Sequence, residues 1–144
     1  MILRTARFAD LDTATLYALL KLRIDVFVVE QACPYPELDG RDAEPDTEHR
    51  WFEDDAGTPV AYLRTLTEAD GATRIGRVVT RPDARRTGLA RQLVDGVLAD
   101  HPGGPVVADA QAHLAGWYEA LGFVVTGSEY LEDDIAHVPM RRDP

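Results

Sequence analysis

Apolar residues recur along the chain with two different periods. After Asp10 and Asp12, either of which can cap a helix, Leu16, Leu19, Leu20, Ile24, Phe27 and Val28 follow helical spacing. Cys33-Pro34-Tyr35-Pro36 ends that helix, because proline has no N–H to donate and the residue before it avoids helical dihedrals. Glu37 to Thr47 is then an acidic loop with a turn at Asp39-Gly40. Short strand-like segments lie on either side of this helix and loop: Ile2 to Phe8 before them, Arg50 to Glu53 and Val60 to Leu66 after, the latter two joined through Asp55-Ala56-Gly57-Thr58-Pro59. Gly71 marks a turn before a strand over Thr73 to Thr80. Gly88 to Asp100 is amphipathic, with Leu89, Leu93, Val94, Val97 and Leu98 on one helical face. Pro102-Gly103-Gly104-Pro105 breaks it, and Val106-Val107-Ala108 begins a buried strand. His113 to Leu121 fits a short helix closed by Gly122 at its C-terminus. Two last strands, Phe123 to Thr126 and His137 to Arg142, are separated by Tyr130-Leu131-Glu132-Asp133-Asp134. This order predicts an α/β chain of α+β type with a mixed sheet and a strand-turn-helix unit in its middle. No linker interrupts it, so residues 1–144 read as one domain.

Composition changes this picture mainly by exclusion. A chain of 144 residues buries roughly two-thirds of its unfolded surface and needs no covalent staples. Fifteen Lys+Arg against 25 Asp+Glu leave a net charge of −10, which argues against a nucleic-acid partner or an anionic membrane surface. Cys33, the one cysteine, allows no disulfide framework and no multi-cysteine zinc site. The four histidines show no paired spacing, so no metal is expected. No apolar run approaches the roughly 18 residues of a membrane span, and the first residues lack a signal-peptide pattern; the expected location is cytoplasmic.

The net charge hides an asymmetry. Glu30 to Asp55 holds ten acids against Arg41 and Arg50. Arg74 to Arg91 holds six arginines against Asp83 alone. The basic run straddles the junction between a strand and a helix, where free backbone N–H groups and the helix dipole already favour an anion. A phosphate-bearing ligand on an otherwise acidic protein is the expected consequence.

The junction itself reads Val78-Val79-Thr80-Arg81-Pro82-Asp83-Ala84-Arg85-Arg86-Thr87-Gly88-Leu89-Ala90. Gly88 has no Cβ to keep a ligand off the backbone, and small Ala90 keeps the first helical turn open. N–H groups from Arg86 to Arg91 can wrap a pyrophosphate. Arg85-x-x-Gly88-x-Ala90, preceded by Val78-x-Thr80-x-Pro82, resembles the acetyl-CoA-binding motif of the GNAT N-acetyltransferase superfamily. Trp117-Tyr118-Glu119-Ala120-Leu121-Gly122-Phe123 resembles its later aromatic segment. Leu22 to Tyr35, Asp39-Gly40-x-Asp42, Glu129 to Asp133 and His137-Val138-Pro139-Met140 resemble the ElaA-like subgroup, so the likeness spans nearly the whole chain.

The resemblance implies a fold whose central strand pair splays to admit the pantetheine arm of acetyl-CoA. Backbone groups of Val78, Val79 and Thr80 would bond that arm, and Arg85, Arg86, Thr87, Gly88, Leu89, Ala90 and Arg91 would surround the pyrophosphate. Gln111 stands where many members have Asn. Tyr118 falls at the position that protonates the departing coenzyme A sulfur, which suits a phenol because it is neutral at pH 7 and can donate. A strand N–H near Val79 would polarise the thioester carbonyl. For the base that frees the amine, His49, Glu53, Glu129 and His137 are candidates, with His49 favoured for its ordinary pKa and its place beside the acidic loop. Cys33 reads as a small buried hydrophobe rather than a nucleophile. Tyr35, Asp39, Asp42 and the loop from Glu129 to Asp134 are the substrate candidates, their acids attracting a cationic amine. The implied reaction is transfer of an acetyl group from acetyl-CoA to a primary amine by direct attack on the thioester. A coenzyme A-binding regulatory module without catalysis, and a transferase acting on protein N-termini or lysines, stay open. A homodimer is compatible with the resemblance.

Overall fold

The computed structural model describes residues 1–144. Strands β1 (Ile2–Arg7), β2 (Glu48–Glu53), β3 (Pro59–Thr67) and β4 (Thr73–Thr80) form an antiparallel meander. β5 (Val106–Gln111) joins β4 in parallel, and β8 (Ile135–Arg142) follows it antiparallel, with β6 (Val124–Val125) and β7 (Tyr130–Glu132) on its far edge. The result is an eight-stranded mixed sheet of order β1-β2-β3-β4-β5-β8-β6. None of its helices is long and apolar enough to cross a membrane.

Period-2 alternation on β3 decides which helix covers which face. Tyr62 points to the side of α1 (Thr13–Ile24), where Leu19, Leu22 and Val26 pack with Trp51 and Val79. Ala61 and Leu63 point to the opposite side, where α2 (Leu89–Asp100) lays Leu89, Leu93, Val94 and Val97 into the larger core with Ile75, Val106 and Phe123. Each of those four α2 side chains contributes about 1.5–3 kcal/mol on burial. Asp12 caps α1 through the Thr15 N–H at 2.7 Å, the second of the two acids the sequence offered. Between the two cores, every residue of β3 from Pro59 to Leu66 is buried.

The structure corrects several sequence expectations. The most buried stripe of α1 and the helical turn that follows it is Leu19, Leu22, Arg23 and Val26, with Leu16, Leu20 and Ile24 only half-buried. Helical spacing favoured the leucines, but buried acids on the following loop draw Arg23 inward. The helix also continues as a π-helical turn over Asp25–Glu30 before Ala32, at φ +50, leads into the prolines. The expected helix over His113–Leu121 is a 3-10 turn, Ala112–Leu114, followed by the five-residue α3 (Ala115–Glu119). The segment read as a connection, Tyr130 to Asp134, is a strand and a tight turn: Asp133 and Asp134 both have positive φ, the geometry of a two-residue hairpin loop.

One irregularity positions everything that follows. Tyr62 pairs with Val79 and Arg64 with Gly76, so Arg77 and Val78 on β4 oppose Leu63 alone. That bulge puts Arg77 at φ +54 and bends β4. On its other edge β4 pairs with β5 only from Thr73 to Ile75, after which the two parallel strands part.

Candidate functional site

Two cavities open where β4 and β5 diverge. The larger, of about 520 Å3, runs beside the end of β4 and over the N-terminus of α2. Val78–Thr80 form one wall, Ala84–Arg91 the base, and Gln111, Trp117 and Tyr118 the wall toward α3. All the residues expected at the coenzyme therefore line one cavity, although they come from β4, α2, β5 and α3. Gly88 caps α2 at φ +80, a conformation that a side chain strains, and a Cβ built on it would meet nothing within 4 Å. The backbone of this turn thus faces open space, and the first N–H groups of α2 have no partner within the helix. Arg86 adds a second left-handed residue at φ +62. Across the mouth, Arg85 meets Glu30 of the π-helical turn at 2.9 Å, and Gln111 donates to Gln31 at 3.4 Å.

The smaller cavity, of about 220 Å3, lies on the β5 side of the bulge. Its lining includes Tyr35, Arg64, Arg77, Asp109, Asp133 and His137. Phe27, Gln31, Val78, Gln111, Leu114 and Tyr118 line both cavities, so the two meet at the parting of β4 and β5. Tyr118 is buried, with Trp117 and Phe123 set edge-on to its ring at 4.9 and 5.6 Å. Burial alone pushes its phenol up to about 12.

The acids of the long loop are mostly spent on arginines. Arg23, 1% exposed, reaches Glu37 at 2.7 Å and Asp42 at 2.8 Å. Arg64 reaches Asp39 at 2.5 Å and Asp42 at 3.0 Å, and Arg77 reaches Glu37 at 2.9 Å. The Arg64 hydrogen bond holds the Asp39 carboxyl well below the usual range. Burial pushes Asp42 the other way, but Arg23 and Arg64 outweigh it and its pKa is lowered too. Tyr35 hydrogen-bonds Glu37 and lies under the Arg77 guanidinium, 5.6 Å from its ring centre, and burial with that carboxylate raises its phenol.

These contacts sort the expected substrate and base residues. Tyr35 lines the smaller cavity; Asp39 and Asp42 stand behind it, neutralising Arg64; Glu129 is exposed and lines neither cavity. Within the Glu129–Asp134 loop it is Glu132 and Asp133 that reach the lining. His49, the favoured base, is 1% exposed and lies outside both cavities. Its Nε2 contacts the Asp42 carbonyl at 3.0 Å and its Nδ1 the Tyr62 hydroxyl at 2.6 Å. Because a carbonyl only accepts, Nε2 must donate and Nδ1 accepts from Tyr62, so neither nitrogen is free. Burial lowers its pKa. Cys33 is buried as expected, and it also lines the smaller cavity, with its Sγ 3.5 Å from the Asp133 carbonyl.

The sequence marks Arg77 only as part of the basic run expected at a phosphate, whereas it lines the smaller cavity and pairs with Glu37, and nothing in the sequence singles out Arg64, Asp109 or Gln31 for the site. Arg64 carried the one usable signal, a lone charge within the otherwise apolar or small run Val60 to Leu66. Arg77 and Gln31 reach the cavities only through the bulge and the π-helical turn, which no spacing rule marks.

Comparison with known proteins gives consistent results. A family model described as an acetyltransferase (GNAT) domain matches residues 22–144. A UPF0039 protein of Mycobacterium tuberculosis is 49% identical over 143 residues, covering 97% of this chain and 92% of that protein. Protein ElaA of Escherichia coli is 40% identical over 143 residues, covering 94% and 92%, and its crystal structure superposes with a TM-score of 0.91 over 99% of both chains. The crystal structure of an acyl-CoA N-acyltransferase from Pseudomonas aeruginosa superposes with a TM-score of 0.90 at 44% identity, over 99% of both chains.

Proposed function

The chain belongs to the GNAT acetyltransferase family, and on that premise we propose that it transfers an acetyl group from acetyl-CoA to a primary amine by direct attack on the thioester. The observation that carries this reading is the meeting of the two cavities at Tyr118. In it, acetyl-CoA lies in the larger cavity, its pantetheine arm along Val78–Thr80 and its pyrophosphate on the N–H groups of Arg86–Arg91. Its thioester reaches the junction, where a β4 N–H near Val79 polarises the carbonyl. The amine enters through the smaller cavity, whose Glu132 and Asp133 make no ion pair within 4.0 Å and so remain to attract a cation.

Attack of the neutral amine on the carbonyl carbon forms the C–N bond, and collapse breaks the C–S bond. Tyr118 then donates its proton to the departing sulfur. The phenol holds its proton at pH 7, as an acid in this role must; burial, which pushes it up to about 12, makes it a weaker acid until the thiolate charge develops beside it. No covalent enzyme intermediate is needed, and Cys33, whose thiol burial pushes up, is a poor nucleophile for one.

The test is thiol release from acetyl-CoA with a panel of small amines and peptides, run with wild type and Tyr118→Phe. We expect release that depends on the amine and falls by about 10²-fold or more in the variant, while calorimetric affinity for acetyl-CoA stays within a few-fold. An unchanged turnover in Tyr118→Phe would remove the phenol from the chemistry. Tight acetyl-CoA binding with no release for any amine or peptide would favour the coenzyme-binding module over the enzyme.

A further inference from the structure

The mechanism above leaves the amine without a base, and His49 is sealed away from the cavities. His137 on β8 stands in the opposite situation. Its register partners are Gln111 on β5 and Tyr130 on β7, so the three side chains share one face of the sheet. From that face His137 and Gln111 line the smaller chamber, together with Tyr118 from α3. The imidazole stacks on Tyr130, with ring centroids 5.9 Å apart and an interplanar angle of 26°. Its Nδ1 lies 2.7 Å from the carbonyl oxygen of Ile135. Since that oxygen can only accept, Nδ1 carries a proton, and the lone pair of the neutral ring sits on Nε2. Stacking fixes the plane of the ring and the carbonyl fixes its tautomer. His49 has the reverse arrangement, with both nitrogens already occupied.

We propose that His137 is the general base of the transfer, taking the ammonium proton of the acceptor on Nε2; this rests on the acyl-transfer reading above. The acceptor enters as R–NH3+. His137 takes one proton and passes it to solvent, leaving R–NH2 with a free electron pair for the carbonyl carbon. After attack the nitrogen is positive again and sheds its second proton to the same imidazole. Tyr118 protonates the sulfur as the C–S bond breaks, and its phenolate recovers a proton by way of His137 or water. The balance is R–NH3+ and acetyl-CoA to amide, coenzyme A thiol and one proton.

The groups facing His137 favour a cation beside it. Glu132 from β7 and Asp133 from the turn are unpaired, while Asp109 from β5 is held by Arg74 from β4 at 2.6 Å. Tyr130 is pushed up to about 12 by burial and the Asp109 carboxylate, so it stacks as a neutral phenol. On the far wall, Arg64 and Arg77 are neutralised from behind by Asp39, Asp42 and Glu37, and Cys33 and Tyr35 are uncharged at pH 7.

His137→Asn tests this, because its amide nitrogen can still donate to the Ile135 carbonyl while nothing replaces Nε2. Thiol release from acetyl-CoA is measured with ethylamine and with 2,2,2-trifluoroethylamine, whose fluorines leave it largely neutral at pH 7. The expected result is a 10²- to 10⁴-fold loss of kcat/KM with ethylamine and a loss of less than about tenfold with trifluoroethylamine. With ethylamine the variant's kcat/KM follows the neutral fraction of the amine, rising about tenfold per pH unit, whereas the wild type stays above that line because it accepts the ammonium form. Calorimetric affinity for acetyl-CoA stays within twofold. Equal losses with both amines, no loss with either, or a weakened coenzyme affinity would overturn the assignment of His137 alone. A wild type that binds acetyl-CoA and releases thiol with no amine would overturn the acyl-transfer reading, and this one with it.

Discussion

Replacing Arg23 by Met tests whether the buried ion network holds the acidic loop in place. The guanidinium is 1% exposed and bonds Glu37 at 2.7 Å and Asp42 at 2.8 Å. Burial alone would lower its pKa, yet Tyr62, Asp42 and Glu37 more than reverse that, and the net shift is upward. Removing one member of a buried pair typically costs about 3–5 kcal/mol, because the remaining charge stays buried without compensation. Here Glu37 keeps Arg77 and Asp42 keeps Arg64, so the lower figure, about 3 kcal/mol, applies. For a chain of 144 residues the unfolding entropy at the midpoint is roughly 0.3 kcal/mol/K, which converts that loss to a fall in Tm of about 10 °C. Thermal melts followed by circular dichroism measure it. Arg23→Met combined with Asp42→Asn should cost less than the two single changes together, since the acid left behind is then neutral. A single variant melting within about 3 °C of wild type, or a double variant with strictly additive losses, would refute the reasoning.

The same network sets an acid limit. Asp39 and Asp42 have folded pKa values below the unfolded value near 3.9, so the stability they contribute is present above that pH and is lost as pH falls through the folded values. Urea midpoints at pH 5.0, 3.5 and 2.5 should fall steeply below pH 3.9, and less steeply in Asp39→Asn; equal slopes would remove Asp39 from the acid transition. Gly88→Glu sets a side chain with negative charge at φ +80 on the turn facing the larger cavity, and calorimetry should find acetyl-CoA affinity lowered by at least 10²-fold. Unaltered affinity there would move the phosphates elsewhere.

Much of this arrangement was legible because it depends on local chemistry. The strand over Thr73–Thr80, the glycine at the head of α2 and the helical face of Leu89, Leu93, Val94 and Val97 all obey short-range rules, and the structure reproduces their boundaries. Residues 78–91 of those expected at the coenzyme fall on one cavity because a strand, its turn and the next helix place them together. What failed was long-range. Arg23 is absent from the apolar spacing that predicts α1, and it is drawn inward by acids fourteen and nineteen residues away. His49 looked available because nothing in its neighbourhood of sequence announces Tyr62 across the sheet. The hairpin at Asp133-Asp134 was missed because aspartate accepts positive φ less readily than glycine or asparagine, so the usual turn signal was absent.

The short pairing of β4 with β5 has a mechanical meaning. From Thr73 to Ile75 the two strands are stitched by three residue pairs, and beyond that each turns an unpaired backbone edge toward the gap. The sheet is therefore two plates, β1 to β4 and β5 to β8, joined along a seam that covers less than half of β4. A flexible chain with its own amide groups, laid in the gap, would extend the seam and lock the plates against rocking. Occupancy of the cleft would then be readable far from it, as slowed amide hydrogen exchange along the ends of β4 and β5.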